Sequence, residues 1–175
     1  MDPAIAASVE SLRLMPDNLE AALKNRPDDW LDSRHAEDTL SPRETVGHLI
    51  KGESEDWVPR AKMILDVGES QAFSPFDPYA SNDYSHTTPV HVMLGRFRQL
   101  CGESIKQLLA LGLSEETLEK RGTHPRHGSV TLRELVHTWA AHDLYHLGQI
   151  YKAFSAPYKE RIGPWQASLN LPDFN

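Results

Sequence analysis

The chain has 175 residues, of which 39% are hydrophobic and 25% charged, and its formal net charge is −7. This length fits one domain, placed at residues 1–175, and no apolar run approaches the roughly 18 residues that a membrane span requires. The acidic balance argues against nucleic acid as a partner, because backbone binding needs clustered Lys and Arg. One cysteine and an N-terminus without a basic region predict a cytoplasmic protein.

The first half of the chain contains two segments with helical periodicity. The first opens at Asp2–Pro3, an N-cap residue followed by proline at the first helical position. Pro16 is expected to kink or split this helix. The second begins with a capping box at Ser41–Glu44 and is expected to run to about Leu65, with a kink at Pro59.

The second half contains two more helical segments, which follow a long connection at 66–87. This connection is rich in Gly, Ser, Pro and Asp, and its length of about 20 residues is uncommon in compact domains unless it is functional or a crossover. The third helix is expected at 88–112. After a predicted loop at 121–130, the fourth opens with a second capping box at Thr131–Glu134 and continues to about Phe154.

The pattern contains no convincing strand, and the tail after Ser155 is expected to be irregular. Amphipathic helices of about 20 residues can bury their apolar stripes only against one another when no sheet is present. The sequence therefore predicts an all-α fold, a four-helix bundle with a long crossover between helices 2 and 3.

Two histidines at helical spacing give the sharpest chemical signal. His142 and His146 lie on the apolar stripe of the fourth helix, where residues four apart are neighbours on one face. Two imidazoles so placed can bind one metal ion, or they can be core histidines with other partners, and the pair alone leaves both interpretations open. A third metal ligand has to come from elsewhere in the chain.

His48 is the candidate for that third ligand. It lies in the second helix between Gly47 and Gly52, two small residues that leave room for an ion or a substrate. At 100° per residue, however, its side chain points away from the apolar stripe of the helix. Periodicity alone therefore predicts a surface histidine.

Several other polar residues have plainer interpretations. His124 and His127 are interpreted as solvated loop residues rather than residues at the mouth of a metal site. Glu134 and His137 form one Glu-x-x-His pair, but a di-iron bundle needs a second pair and the sequence has none. Asp143 follows His142 as the general-base glutamate follows the first histidine of HExxH proteases, although aspartate is shorter and those enzymes place the motif beside a sheet.

Two blocks of sequence carry a family resemblance. They read LSPRETVGHLIKGESEDWVPR and GSVTLRELVHTWAAHDLYHLGQI. Together they resemble the DinB-like (DinB/YfiT) superfamily of metalloenzymes over about residues 28–153, except that Leu-Ser-Pro stands where many members have Trp-Ser-x. The resemblance implies a four-helix bundle with a long crossover and a metal held by three histidines, which fall on His48, His142 and His146.

The resemblance also carries functional expectations. Some members of the superfamily transfer low-molecular-weight thiols to electrophiles, and others isomerise or hydrolyse. It thus implies that a divalent Zn, Ni or Fe ion activates a low-molecular-weight thiol cosubstrate or water against a small electrophilic substrate. The alternative is a metal-binding stress-response protein without turnover. A homodimer is expected from the same resemblance, and no general base is assigned.

Overall fold

A computed structural model describes residues 2–77, 79–169 and 171, and four long helical segments form its bundle. These segments are α1 (Pro3–Leu23), α3 (Pro42–Glu55) with its continuation α4 (Trp57–Asp66), α6 (Val90–Ala110) and α8 (Leu132–Ser155). The shorter helices are α2 (Asp28–Leu31), α5 (Asn82–Thr87), α7 (Glu115–Leu118) and α9 (Gln166–Leu169). The fold is the predicted all-α four-helix bundle, and its crossover joins α4 to α6.

The four long segments enclose one hydrophobic core. Both α1 and α3 pack against α6 and α8, so that the segments form a closed ring around it. The largest fully buried side chains come from every segment of the ring and include Leu12, Leu49, Phe97 and Trp139. Burial of these apolar surfaces is the main stabilising term in such a bundle. None of the described helices combines the length and apolarity needed to cross a bilayer.

Both predicted capping boxes are present. At the start of α3, Oγ of Ser41 accepts the N–H of Glu44 at 3.2 Å, and the Glu44 carboxylate accepts the N–H of Ser41 at 2.8 Å. At the start of α8, Thr131 and Glu134 make the same two bonds at 3.1 and 2.7 Å. Each box satisfies N–H groups that a helix start leaves without partners.

The two helix prolines differ in their effects. Pro16 does not split α1, which continues from Pro3 to Leu23 with the proline buried. The second predicted helix breaks at Asp56, between α3 and α4 and one turn before Pro59, as the expected kink implies. Pro59 has no N–H to donate to the carbonyl four residues earlier, at Glu55, so the α-helical ladder is interrupted just before Asp56.

The predicted loop at 121–130 is instead a hairpin, and the expectation of no strand was wrong. Strands β1 (Arg121–His124) and β2 (Gly128–Thr131) pair antiparallel. Strands this short show too little alternation for a sequence pattern to reveal them. Their pairing depends on a turn with Gly128 at φ +73° and on contacts with the crossover.

The crossover and the tail are also more ordered than predicted. The crossover contains a 3-10 turn at Gly68–Ser70 and helix α5, which packs against α3. After Ser155 the chain continues in 3-10 turns and α9 up to Leu169, so the prediction of an irregular tail was wrong for these residues. Residues 172–175 of the predicted tail lie outside the described part of the chain.

Candidate metal centre

His48 is buried in α3, although periodicity predicts it at the surface. Only 5% of its surface is exposed. The prediction was wrong because α5, α6 and α8 all pack against α3. The crossover also covers the imidazole directly, since the ring of Phe76 packs edge-on against it with centroids 5.4 Å apart. A helix enclosed on several sides has no single solvent face for its periodicity to identify.

The three histidines converge at their Nε2 atoms. Nε2 of His142 lies 3.0 Å from Nε2 of His48 and 3.1 Å from Nε2 of His146. One ligand atom from each residue lies within 4.8 Å of the other two. Nitrogens bound tetrahedrally to one ion at about 2.1 Å are about 3.4 Å apart. The observed spacing therefore suits a site in which three imidazoles hold one ion.

The other ring nitrogens of two of the imidazoles have partners on α8. Nδ1 of His142 lies 3.1 Å from Oδ1 of Asp143, and Nδ1 of His146 donates to Oε1 of Gln149 at 2.7 Å, because an amide oxygen only accepts. With its proton on Nδ1, the neutral ring of His146 carries a lone pair on Nε2. That lone pair is directed into the cluster, where Nε2 of His142 lies 3.1 Å away.

Burial keeps these two imidazoles neutral. It lowers the pKa of His142 to about 4, and the nearby carboxylate of Asp56 offsets this only in part. Burial, together with the neighbouring His142 and His48, lowers the pKa of His146 to about 3. Both rings are uncharged at neutral pH, which is the form of imidazole that binds a metal.

Two buried carboxyl groups lie on the core side of the histidines. Burial raises the pKa of Asp143 well above its usual range. Burial and the neighbouring Asp143 raise the pKa of Glu53 to about 8, and its Oε1 accepts the indole N–H of Trp139 at 3.1 Å. Asp143 is 1% exposed and bonds to His142, so it positions that ring from the core side. It does not occupy the place of the general base in an HExxH enzyme.

A pair of indoles supports the same ring. Trp57 of α4 and Trp139 of α8 stack with centroids 5.9 Å apart and planes 9° from parallel. Trp57 also meets His142 edge-on, at a centroid distance of 5.1 Å. The stack joins α4 to α8 beside the histidine cluster and restricts the orientation of His142.

A cavity of about 560 Å³ opens onto the cluster, and His48 and His142 line it. Its other walls come from α4, the crossover, the hairpin and α8, and include Asp56, Trp57, Arg60, Phe73, Phe76, His124, Arg126, His127, Val130 and Leu135. The volume lies in the range typical of small-molecule sites, about 300–1,000 Å³. A small molecule that enters the cavity therefore reaches two of the three histidines.

Of the other residues singled out in the sequence, some line the cavity and others lie away from it. His124 and His127 both line the cavity. His124 lies half-buried at the end of β1, so its interpretation as a solvated loop residue was wrong, whereas His127 is exposed in the turn of the hairpin, as that interpretation expected. His137 is peripheral to the cluster, with Nδ1 2.8 Å from Oγ of Ser8. Cys101 is a buried core residue, and burial raises the pKa of its thiol.

Two supporting residues, Gln149 and Glu53, escaped the sequence reasoning. Gln149 follows His146 by three residues, a spacing at which helix side chains meet, so helical geometry could have identified it. Glu53 acts through a contact with Trp139, which lies on another helix and far along the chain. No local pattern in the sequence signals that contact.

The fold and the histidine cluster together define a class, the helical bundles with a candidate three-histidine metal site beside a small-molecule cavity. Within that class, the sequence matches the model of the DinB superfamily over residues 11–150. The match covers most of the chain, which belongs to the DinB superfamily. This confirms the resemblance that the two sequence blocks indicated.

A solved structure shares the fold. YfiT from Bacillus subtilis, described as a probable metal-dependent hydrolase with an unusual four-helix bundle topology, aligns with a TM-score of 0.77. The alignment covers 93% of this chain and 90% of YfiT, at 21% sequence identity. At this identity the likeness shows the fold alone. No curated protein matches the sequence.

Proposed function

We propose that this protein is a metal-dependent enzyme in which His48, His142 and His146 hold a divalent ion that activates water or a low-molecular-weight thiol against a small electrophile. The observation that carries the proposal is the convergence of three Nε2 atoms beside a cavity of about 560 Å³. Membership of the DinB superfamily, and the description of YfiT as a probable metal-dependent hydrolase, support it.

The donor set suits a reactive ion. An ion held by three neutral imidazoles keeps its full charge and lowers the pKa of a water or thiol that binds to it. Asp143 and Gln149 contact Nδ1 of His142 and His146 and so orient both rings with Nε2 directed into the cluster. Phe76 packs edge-on against His48, and Trp57 packs edge-on against His142, so each ring is supported by one aromatic side chain.

The two forms of the reaction differ in the nucleophile. In hydrolysis, the oxygen of water bonds to the carbonyl carbon of an ester, and the bond from that carbon to the alcohol oxygen breaks. In thiol transfer, the sulfur bonds to an electrophilic carbon, and the leaving group departs with its electron pair. Both deliver a proton to solvent or to the leaving group, and neither needs an oxidant or reductant.

Metal content tests the ligand set. We expect about one divalent ion per chain in the purified parent protein and none in His142→Ala, measured by elemental analysis. His137→Ala is the matched control, because His137 lies on the same helix and contacts Ser8 instead of the cluster. Equal metal in His142→Ala and the parent would contradict the assignment.

Turnover tests the activity. We expect metal-loaded parent protein to hydrolyse 4-nitrophenyl acetate, or to consume cysteine or glutathione with 1-chloro-2,4-dinitrobenzene, and to lose that activity on chelation. Zinc, nickel and iron are supplied in parallel, because imidazole suits all three. Rates unaffected by chelation would overturn the proposal, and stoichiometric metal without turnover on any substrate would support the non-catalytic stress-response alternative.

A further inference from the structure

The hairpin of β1 and β2 is fixed against the crossover and α4. The N–H of Phe73 donates to the carbonyl of Thr123 at 2.9 Å, and the Thr123 hydroxyl donates to the carbonyl of Glu69 at 3.2 Å. A Cβ atom at Gly122 would lie 2.8 Å from Cγ1 of Ile64, so this close approach requires glycine. The turn of the hairpin is therefore held in one place beside the cavity.

That turn contributes three side chains to the cavity wall, from His124, Arg126 and His127. Nδ1 of His124 accepts the backbone N–H of Arg126 at 3.1 Å and that of His127 at 3.3 Å. Because Nδ1 is an acceptor, the neutral ring has its proton on Nε2 and donates from there. The rings of His124 and His127 stack with centroids 4.5 Å apart, so the turn gathers its donors closely.

The acids on the same wall are already engaged. Oδ1 of Asp56 pairs with Nε of Arg60 at 2.6 Å. The Glu134 carboxylate accepts the backbone N–H of Thr131 at 2.7 Å. In the described part of the chain, the guanidinium of Arg126 has no ion-pair partner. The turn therefore presents an uncompensated positive charge to the cavity.

The positive field of this wall is felt by His124. Burial lowers the pKa of His124, and the neighbouring Arg60, His127 and Arg126 lower it further. A cleft wall that carries positive charge attracts anions. A carboxylate bound at this wall would pair with the guanidinium of Arg126 and accept the Nε2–H of His124.

Aromatic side chains connect this turn with the histidine cluster. Phe73 meets His124 edge-on at a centroid distance of 6.1 Å, and Phe76 meets His48 in the same way at 5.4 Å. Val130 and Leu135 add apolar surface to the same cavity. A ligand that extends from the cluster to the turn therefore places its middle part against apolar groups.

We propose that His124, Arg126 and His127 bind the carboxylate of a small organic anion, whose apolar body packs against Phe73 and Phe76 while its reactive end reaches the metal centre. The inference rests on the proposed function, because it names the class of molecule on which that site acts. The carboxylate belongs either to the electrophilic substrate or to the thiol cosubstrate, and both present the same group to the turn.

Calorimetry on the zinc-loaded protein tests the anion site without turnover. The probes are 4-phenylbutyrate and its neutral analogue 4-phenylbutyramide. We expect the parent to bind the carboxylate more tightly than the amide, and Arg126→Gln to weaken carboxylate binding about three- to tenfold with amide binding unchanged. Arg96→Gln, which removes an exposed arginine of α6 outside the cavity, is the matched control and binds both probes as the parent does.

Two calorimetric results would overturn the proposal. One is equal affinity of the parent for the two probes. The other is a carboxylate preference that persists in Arg126→Gln, since it would assign the carboxylate to the metal rather than to the turn. Turnover without any carboxylate preference would leave the proposed function intact and contradict only this inference. A carboxylate preference that depends on Arg126, found without turnover, would support the anion site and contradict the proposed function.

Turnover distinguishes the two sources of the carboxylate. One pair of substrates is 4-nitrophenyl acetate and the 4-nitrophenyl monoester of succinate, and one pair of thiols is 2-mercaptoethanol and 3-mercaptopropionate. Arg126→Gln is expected to lower kcat/KM for the anionic member of one pair about three- to tenfold. A loss with the succinate ester assigns the carboxylate to the substrate, and a loss with 3-mercaptopropionate assigns it to the thiol.

Discussion

Helix α8 contributes two histidines from one apolar stripe, whereas α3 contributes one histidine from a helix with neighbours on several sides. On α8, the four-residue spacing of His142 and His146 places both rings on the buried face. On α3, His48 is buried because α5 and the crossover residue Phe76 add to the cover that α6 and α8 provide. Periodicity therefore identifies a buried histidine on a helix with one buried face, and fails where a distant segment covers the other face.

Removal of the α3 histidine tests whether the two helices contribute equally. We expect His48→Ala to lose stoichiometric zinc as completely as His142→Ala does, because two imidazoles do not complete the ligand set. Elemental analysis measures the metal, and circular dichroism checks that the helices remain. His91→Ala, which removes an exposed histidine of α6, should keep one ion per chain. One tightly held ion in His48→Ala would mean that α8 binds metal without α3.

The pH dependence of stability tests the contact between Glu53 of α3 and Trp139 of α8. The folded-state pKa of Glu53 is about 8, against 4.5 for the free side chain, so the unfolded chain loses this proton at lower pH than the folded protein. The contribution of Glu53 to the free energy of unfolding of the parent protein therefore falls as the pH rises from about 5 to 8. The side chain of Glu53→Gln cannot ionise, so the variant lacks this loss of stability, which is on the order of a few kcal/mol at pH 8 in the parent.

Thermal melting at several pH values measures this effect. The melting temperature of Glu53→Gln relative to the parent is expected to rise from pH 5 to pH 8. Glu103→Gln, an exposed position on α6, should show no such trend. A difference between Glu53→Gln and the parent that stays constant with pH would contradict a raised pKa for Glu53.

The packing of α5 on α3 is tested at Gly47. A Cβ atom there would lie 2.0 Å from Oγ of Ser85, so Gly47→Ala is expected to lower the free energy of unfolding by about 1–3 kcal/mol. Urea titration measures the change. Ser85→Ala in the same chain removes the clashing oxygen and should restore part of the loss. Gly95→Ala on α6 meets nothing within 4 Å and should not destabilise the protein. Additive effects of Gly47→Ala and Ser85→Ala on the free energy of unfolding would show that α5 moves away from α3 without cost.

A smaller effect is expected where Gln149 of α8 orients His146 of the same helix. Gln149→Ala removes the acceptor for Nδ1 of His146 and should weaken zinc binding about tenfold, while one ion per chain still binds at saturation. Competition with a chromophoric chelator measures the affinity. Gln99→Ala, an exposed glutamine of α6, is the control. Unchanged affinity in Gln149→Ala would show that packing alone orients His146.

The features predictable from the sequence are those encoded by neighbouring residues. The starts of α3 and α8 follow from capping boxes that span four residues, and the bundle follows from apolar stripes along single helices. The pairing of His142 with His146 follows in the same way from their spacing. Family resemblance, rather than periodicity, brought His48 into the same cluster.

The features that could not be predicted depend on contacts between distant segments. The hairpin is docked by the bond from Phe73 to Thr123 and by the approach of Gly122 to Ile64, which no local pattern encodes. The burial of Glu53 against Trp139 is likewise a tertiary contact. The cavity and the groups behind the histidines therefore emerge only when the crossover, the hairpin and α8 come together.

The junction between the hairpin and α8 joins the cavity wall directly to the helix that carries two of the clustered histidines. Thr131 is both the last residue of β2 and the N-cap of α8, so no linker separates the two elements. His142 lies about 16 Å further along the same helix. A displacement of the hairpin is therefore transmitted through Thr131 to the start of the helix that carries His142 and His146.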